Sequence, residues 1–402
     1  MDSPSTSMNT SRDAAGTIAE ELSDLGTGTG VEHETIRGDI VEPFDPEKID
    51  VVTKPMTVDL LLSRLEAGAL NLAPDFQRTA GIWSDQRQSS LIESLLLRIP
   101  LPSFYASEDD DESWEVVDGI QRLTAIARFV RPKLLKGAQP LRLGGLEYLR
   151  GEVKPGVPYN GATFEDLSGR LQRRIRETEF VFHLIRAGTP PLVKFNIFAR
   201  INTGGMPLSY QELRHALVPG RARDLVREWA ASDAFVKATA GSVNPDRMAD
   251  REMVLRFLAF RLTVYSEYPA HGDLNKFLLE TMRALNRLDP ATLAEQEAAF
   301  HAALTTAHAI WGEDAFRKRH SRGAPRSPVN KSLFEAITVS LAAQEGAQRA
   351  LLVERKEAVI DAFIKEMADP AFSDAVSTAT GDARKVKRRF RGVEHVLRSV
   401  LP

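Results

Sequence analysis

The stretch WEVVDGIQRLTAIARF (114–129) joins a predicted buried strand directly to a predicted amphipathic helix. The strand pattern ends at Asp118, Gly119 permits a tight turn, and apolar residues then recur at helical spacing. Strands that alternate with helices along a chain are typical of α/β and α+β folds. The stretch therefore predicts a sheet-and-helix domain with Asp118 at the carboxyl end of a buried strand.

Flanking segments continue this alternation to about residue 215. Thr57 is a good cap for a helix over 58–67, and Ser84 is a good cap for the helix that follows it. Residues 103–106 and 179–185 have the composition and length of strands. These signals predict an α/β core over residues 49–218.

Helical periodicity dominates the rest of the chain. Ser209 and Glu212 form a capping box ahead of a helix. After residue 218 apolar residues recur at helical spacing and strand signals nearly vanish. The sequence thus predicts an α+β protein, in which the core at 49–218 is followed by a mostly helical domain at 219–402.

The composition is that of a soluble globular protein. Of 402 residues, 43% are hydrophobic and 27% are charged, which excludes collagen-like and wholly disordered chains. The lack of cysteine excludes disulfide frameworks, thiolate metal sites and a cysteine nucleophile. No apolar run approaches the ~20 residues that span a bilayer, and the first residues lack the order of a secretion signal. We therefore expect a cytoplasmic protein without a membrane segment.

Charge is distributed unevenly along the chain, although the formal net charge is only −3. Residues 1–48 hold eleven Asp or Glu and three Lys or Arg, with few apolar positions. Such a segment buries too little apolar surface to offset the entropy of ordering its chain. The sequence therefore predicts an acidic disordered tail at 1–48 and a net positive charge on the remainder.

Asp118 to Arg122 is the stretch with the most specific chemistry. A helix that starts after Gly119 presents free backbone N–H groups to an anion, and Arg122 adds a cation one turn on. Asp118 would hold Mg²⁺ or orient a water, and Gln121 would position a nucleophile or a phosphate oxygen. These roles suit a nucleoside triphosphate. The alternative, which spacing alone favours, is that Asp118 caps the helix and pairs with Arg122.

An upstream loop adds polar side chains that suit the same ligand. Gln77 and Arg78 lie between Phe76 and Trp83. An arginine with aromatic neighbours suits phosphate contacts and base stacking. The alternative is that the aromatic side chains are core anchors and Arg78 is solvated.

A downstream loop is rich in glycine. Arg200 and Asn202 precede Gly204 and Gly205, and paired glycines let a backbone approach a ligand closely. The alternative, which the pattern favours, is a helix C-cap followed by a turn.

Two dense basic clusters follow in the helical region. Residues 316–331 contain six bases and no acid, and residues 383–398 contain seven bases and one Glu. Such density suits a phosphate backbone, and ordinary surface charge is the alternative. The candidate DNA-binding residues are Arg317, Lys318, Arg319, Lys385, Lys387, Arg388 and Arg389.

Three motifs in chain order resemble the N-terminal domain family of GmrSD-type modification-dependent restriction enzymes, a ParB/sulfiredoxin-like domain. The motifs are PDFQRTAGIWSDQRQ (74–88), VVDGIQRLTAIARF (116–129) and FNIFARINTGGMPLSYQELRHAL (195–217). The resemblance spans about residues 55–260. The family signature Asp-Gly-Gln-Gln-Arg occurs here with Ile120 in place of its first glutamine.

The resemblance implies a ParB-like core that binds and hydrolyses a nucleoside triphosphate, with Mg²⁺, in defence against foreign or modified DNA. It implies catalytic roles for Asp118, Gln121 and Arg122. By position, the implied nucleotide contacts come from Gln77, Arg78, Gly119, Arg122, Arg200, Asn202 and Gly204.

Two other functions stay open at this point. Many relatives continue into an HNH nuclease domain, whereas this chain has no clear HNH signature. If DNA is cut, either the core cuts it as a metal-dependent nuclease with Asp118 as a ligand, or a partner protein cuts it. The second alternative is a non-catalytic DNA-specificity or adaptor subunit, which Ile120 favours.

Overall fold

The computed structural model of the protein describes residues 18–23, 26–34, 47, 49–72, 83–201, 208–269 and 272–402. These residues form two compact units. The sheet unit consists of the described residues within Phe44–Leu208 and of His215–Leu217. The helical unit consists of those within Met1–Pro43, Ser209–Arg214 and Val218–Pro402. Among the described residues, no helix is both long enough and apolar enough to span a membrane.

Strands and helices are interspersed up to residue 185, and the described residues beyond it are mostly helical. The strands are β1 (Glu20–Leu22), β2 (Gly28–Glu32), β3 (Val51–Thr57), β4 (Leu70–Asn71), β5 (Phe104–Glu108), β6 (Trp114–Asp118), β7 (Glu152–Lys154), β8 (Val157–Pro158) and β9 (Glu179–Ile185). The helices are α1 (Val58–Glu66), α2 (Asp85–Leu96), α3 (Ile120–Val130), α4 (Gly169–Arg176), α5 (Pro191–Ile201), α6 (Tyr210–Leu217), α7 (Arg221–Ala230), α8 (Asp233–Ala238), α9 (Ala249–Leu262), α10 (Leu274–Leu285), α11 (Pro290–Trp311), α12 (Lys331–Ala342), α13 (Gly346–Glu354), α14 (Lys356–Met367), α15 (Pro370–Ala375) and α16 (Ala383–Val400).

The sheet unit is built on a five-stranded mixed sheet in the order β3-β9-β5-β6-β4. β3 pairs antiparallel with β9, β9 parallel with β5, β5 antiparallel with β6, and β6 parallel with β4. The strands predicted at 114–118 and 179–185 are confirmed at those bounds, and the helix predicted at 58–67 is α1. With the mostly helical region that follows, the sheet confirms the α+β class.

Alternation along β5 and β9 buries the centre of one face of the sheet. Phe104 and Phe182 are completely buried on neighbouring strands and stack with their ring centroids 5.1 Å apart. Trp114 lies 6.0 Å from Phe182 on the same face. The adjacent residues Tyr105 and His183 are only half-buried. This aromatic core fixes β5 and β6, whose ends carry the candidate site.

Glu93 of α2 fixes the segment that follows α3 in the chain. Its buried carboxylate accepts hydrogen bonds from the backbone N–H groups of Glu147, Tyr148 and Leu149 at 2.7–3.1 Å. Burial raises the pKa of this carboxyl, but the three hydrogen bonds outweigh burial, and the pKa is lowered. The fold therefore favours the ionised form of Glu93.

We expect Glu93→Gln to lower stability at neutral pH and to weaken the loss of stability on acidification. The folded-state pKa lies below the unfolded one. The stability from Glu93 is therefore complete above the ordinary glutamate pKa, and it is lost as the pH falls through the lowered value. Denaturant unfolding of both proteins across this pH range measures the difference. Glu228→Gln, at an exposed glutamate, is the control. Identical pH profiles for wild type and Glu93→Gln would contradict the expectation.

Strands β1 and β2 lie within the region that the sequence predicts to be a disordered tail. They pair with each other, Val31 is completely buried, and the N–H of Glu32 donates to the Val329 carbonyl at 2.8 Å. The prediction of disorder is wrong for the described residues 18–23 and 26–34. The physical reason is that their acidic side chains pair with buried cations far along the chain, which the composition of the segment does not reveal. Apart from residue 47, the rest of 1–48 lies outside the described residues.

Ionised side chains form a cluster inside the helical unit. Glu252 of α9 accepts hydrogen bonds from Arg214 at 2.9 Å and from Arg256 at 2.7 Å, and Lys331 lies 3.5 Å away. All four side chains are buried. Burial raises the pKa of Glu252, but Lys331, Arg256 and Arg214 outweigh burial and hold the pKa well below its usual range. Glu252 therefore carries a full negative charge that three cations share.

Candidate functional site

Asp118 stands at the end of β6, next to a change of register. It pairs with Tyr105 of β5, whereas Val116 pairs with Ala106, so β6 holds an additional residue between the two pairs. Bulges of this kind re-aim side chains at sheet edges and beside active sites. The Asp118 side chain is 40% exposed. Its carboxylate is therefore partly open to solvent at the carboxyl end of β6, an inner strand of the sheet.

Gly119 makes the connection between β6 and α3 and is the N-cap of that helix. Its φ is +98°, and a Cβ at this position would lie 2.2 Å from Cδ1 of Phe104. Glycine is therefore required for both backbone conformation and space. Among the described residues no side chain caps α3. Asp118 thus does not cap the helix, contrary to one interpretation of the sequence, and the first N–H groups of α3 keep their capacity to bind an anion.

Arg122 is buried and clamps Asp118 to the loop ahead of β5. Its Nη2 donates to Asp118 Oδ2 at 2.9 Å and to the Ser103 carbonyl at 3.1 Å, while Nη1 donates to the Pro102 carbonyl. The guanidinium also lies 4.3 Å from the ring centroid of Phe104. Burial lowers the pKa of Arg122, and Asp118 partly offsets this effect. Three of its N–H donors are directed at groups of the protein, and its predicted role on an incoming phosphate stays a prediction.

Gln121 lies in the first turn of α3 and bridges to the start of α2. Its Oε1 accepts a hydrogen bond from the backbone N–H of Trp83 at 3.4 Å. Its Nε2 and the Oδ1 atom of Asp118 have no hydrogen-bond partner among the described residues. Among the described residues, one amide donor of Gln121 and one carboxylate oxygen of Asp118 are thus without a partner near the start of the helix.

A row of side chains that sequence reasoning missed crosses the sheet towards Asp118. The Thr53 hydroxyl lies 3.0 Å from Nδ1 of His183, and the His183 ring stacks on Tyr105 with centroids 4.7 Å apart. Register places Thr53 opposite His183, His183 opposite Tyr105, and Tyr105 opposite Asp118. In the sequence, Tyr105 and His183 alternate with the apolar residues of their predicted strands. This alternation is the signal that could have indicated a second, more exposed face of the sheet.

Of the predicted site residues in and beside the two flanking loops, only Arg200 lies within the described residues. Gln77, Arg78, Asn202 and Gly204 lie outside the described residues, so their predicted nucleotide contacts stay predictions. Arg200 is exposed in the last turn of α5. Its role likewise stays a prediction.

The first basic cluster is directed largely at partners within the helical unit. Arg317 is buried and donates to Ser242 Oγ at 2.6 Å and to backbone carbonyls. Lys318 is buried against a glutamate of β2. Arg319 pairs with Asp314 at 3.1 Å. As an exposed DNA surface, the prediction is wrong for Arg317 and Lys318, because partners distant in sequence bury them.

The second basic cluster has the same character. Arg389 is completely buried and donates to Glu335 at 2.8 Å, so it is not an exposed DNA contact either. Arg388 pairs with two carboxylates and Lys385 with one. Lys387 is half-buried and makes no ion pair among the described residues. For Arg319, Lys385, Lys387 and Arg388, DNA binding stays a prediction.

Metal binding by the protein alone has no support in the described part of the chain. There, no group of three or more His, Asp or Glu side chains is placed to hold an ion. Asp118 is a single carboxylate. A metal at Asp118 would therefore need ligands from the substrate and from water.

Comparison with known families identifies the sheet unit. Residues 59–219 match the family model described as the GmrSD restriction endonuclease, N-terminal domain. The matched range contains Asp118, Gly119, Gln121 and Arg122, and it confirms the resemblance of the three motifs. The family indicates a protein of the restriction or phage-defence type. Comparisons with curated proteins and with solved structures found no match.

Proposed function

We propose that this chain, whose residues 59–219 belong to the GmrSD restriction endonuclease N-terminal domain family, binds and hydrolyses a nucleoside triphosphate and interacts with DNA. The observation that carries the proposal is the start of α3. There, an uncapped helix N-terminus, a left-handed glycine and a solvent-open carboxylate meet at one edge of the sheet. Phosphates would bind to the first N–H groups of α3, where the helix dipole also favours negative charge.

Asp118 and Gln121 would carry the chemical step. Asp118 Oδ1 would orient water or hold Mg²⁺, and Gln121 Nε2 would donate to a phosphate oxygen or to the attacking water. Positioning and charge neutralisation are the main sources of catalysis in phosphoryl transfer. Both groups are on one rigid strand-to-helix connection, which supports precise placement.

Arg122 is a positioning residue in this proposal. It fixes one Asp118 oxygen by a charge-assisted hydrogen bond and anchors itself on two backbone carbonyls. The other oxygen of Asp118 is thereby presented to the ligand in one orientation.

Mg²⁺ is compatible with this arrangement. It retains several waters and binds through one or two carboxylates together with substrate phosphates. Asp118 Oδ1 would be the protein ligand. When bound, Mg²⁺ would neutralise negative charge on the phosphates.

Hydrolysis is tested at Gln121. We expect wild type to bind and hydrolyse at least one of the four common triphosphates. We expect Gln121→Ala to lower the rate of phosphate release by about 10²-fold while nucleotide affinity changes little. The reason is that orientation of water acts in the transition state and adds little to ground-state binding. Phosphate release and equilibrium binding are measured with and without modified DNA.

Gln348→Ala is the control, because Gln348 is an exposed glutamine in the first turn of another helix. Absence of nucleotide binding in wild type would contradict the proposal and leave the adaptor alternative. Nicking of plasmid DNA with Mg²⁺ and without nucleotide would instead support the metal-dependent nuclease. Cleavage only after addition of a second protein would identify a nuclease partner.

A further inference from the structure

Helix α16 carries a line of basic residues on its solvent-exposed side. At 3.6 residues per turn, five residues of this helix fall within about 80° of one another around its axis. They are Arg384, Lys387, Arg391, His395 and Arg398, which we call the basic stripe. Lys387 is half-buried and the other four are exposed. The basic stripe contains no acidic residue and extends over about 21 Å of the helix.

The opposite face of α16 is buried in the helical unit. Val386, Phe390 and Val393 are each at most 2% exposed. Gly392 lets the helix pack closely against α15, because a Cβ at this position would lie 2.4 Å from Cδ2 of Phe372. The orientation of α16 is therefore fixed by packing. Its apolar face is also not free to enter the interface of a membrane, as that of a basic amphipathic surface helix would be.

The other three cations of α16 contact the protein itself. Arg389 is completely buried, Arg388 pairs with two carboxylates, and Lys385 pairs with one. The helical twist thus divides the basic run of the sequence into two sets. One set is used within the fold, and the other, the basic stripe, is presented to solvent.

The two outer arginines of the basic stripe have only weak partners. Asp382 lies 3.7 Å from Arg384, whose side chain is 94% exposed. Glu394 lies 3.5 Å from Arg398, whose side chain is 78% exposed. Exposed ion pairs at such distances contribute little to stability. A phosphate can therefore replace either carboxylate at little cost.

The two cations in the middle of the basic stripe have no carboxylate partner in the described part of the chain. Lys387 makes no ion pair there, and Arg391 lies beside the hydroxyl of Tyr265. Both charges are therefore available to an anion that approaches from solvent.

We propose that the basic stripe of α16 is a contact surface for the phosphate backbone of duplex DNA. Duplex DNA carries one negative charge per about 1.7 Å of its axis, so several phosphates come within reach of a stripe of this length. Such contacts fix the position of a protein on the duplex and do not read the bases. The inference rests on the proposed DNA interaction, for which it names the surface, and it does not involve the nucleotide site at Asp118.

The triple variant Arg384→Gln, Arg391→Gln and Arg398→Gln of the full chain tests the surface. Glutamine has nearly the helix propensity of arginine, and all three side chains are exposed, so the fold should be kept. Circular dichroism and thermal unfolding verify this.

We expect the affinity of the triple variant for a short DNA duplex to fall by about tenfold or more at equal salt. The log–log salt dependence should become shallower by about 0.9 for each phosphate contact that is lost. Fluorescence anisotropy at several salt concentrations measures both quantities. Two duplexes of unrelated sequence should lose affinity equally, because backbone contacts are independent of sequence.

Arg170→Gln, Arg173→Gln and Arg176→Gln on α4 form the matched control. These three arginines are exposed on one short helix and make no ion pair within the described ranges, so the net charge changes equally. Equal losses of affinity in both triple variants would show an effect of net charge alone and would overturn the proposal. Unchanged affinity and salt dependence in the α16 variant would overturn it as well.

The remaining outcomes separate this inference from the proposed function. A wild-type protein that does not bind duplex DNA would contradict the proposed DNA interaction and this surface with it. Vesicles of phosphatidylcholine and phosphatidylserine are the second probe. If the triple variant on α16 loses vesicle binding but keeps DNA binding, the basic stripe serves a lipid surface and the proposal is overturned. Duplex binding is measured without nucleotide, so failure of the Gln121 experiment leaves this test intact.

Discussion

Glu252→Gln is expected to lower the free energy of unfolding by about 3–5 kcal/mol, because removal of one partner from a buried ion pair leaves an uncompensated charge. Arg214, Arg256 and Lys331 share this carboxylate and are all buried. Glutamine keeps the volume, so the loss reflects charge and not a cavity. Denaturant unfolding measures the change through the shift of the midpoint at unchanged slope.

The control for this prediction is Glu357→Gln. Glu357 pairs with Arg322 on the surface, where ion pairs contribute about 0–1 kcal/mol. Trp229 and Trp311 are buried in the helical unit and Trp114 is buried in the sheet unit, so tryptophan emission reports on the unfolding of both units. Equal midpoints for Glu252→Gln and Glu357→Gln would contradict the central role of Glu252.

Asp118→Asn is expected to lower nucleotide hydrolysis by about 10²–10³-fold, the usual effect of removing one electrostatic group from a transition state. Asparagine keeps an oxygen that accepts from Arg122 but loses the charge that would hold Mg²⁺ or orient water. Nucleotide binding by the first turn of α3 should change much less. Single-turnover phosphate release and equilibrium binding separate the two effects.

Asp59→Asn is the matched control for this substitution. Asp59 also pairs with an arginine, Arg131, at 2.8 Å, but at a surface away from the sheet edge. Its loss should leave hydrolysis unchanged. If Asp118→Asn hydrolyses nucleotide at the wild-type rate, Asp118 serves only to anchor Arg122.

Local signals in the sequence are sufficient to predict most elements of the sheet unit. The run that ends at Asp118 is a strand at the predicted bounds, and Ser209 with Glu212 forms the predicted capping box. Thr57 caps α1 through a hydrogen bond to the Leu60 N–H. These features depend on residues three or four apart, and such short-range chemistry is visible in a sequence.

The partners of Arg122 were not predictable in the same way. The spacing of Asp118 and Arg122 predicts their ion pair, which the structure confirms at 2.9 Å. The carbonyls of Pro102 and Ser103 belong to a loop about twenty residues earlier, and a backbone carbonyl leaves no trace in composition. The positioning role that we propose for Arg122 therefore depends on contacts that only the fold reveals.

Ion pairs with distant residues order part of the acidic N-terminal segment, which composition alone predicts to be disordered. Composition predicts disorder because the segment has few apolar residues. Glu34 nevertheless meets Arg256, and Glu32 meets Lys318, across more than two hundred residues of chain. Pairs at such separation leave no pattern in the local sequence. The charge density of a segment therefore cannot show whether its carboxylates are solvated or pair with buried cations.

The path of the chain has a consequence for the order of synthesis. The helical unit takes residues from both sides of the sheet unit, which is in effect inserted into it. Because chains fold from the N-terminus as they leave the ribosome, the inserted unit can complete its hydrogen bonding first. β2 must wait until Lys318, Val329 and Asn330 have been translated. Until then Glu32 lacks the lysine and asparagine side chains with which it pairs in the folded protein.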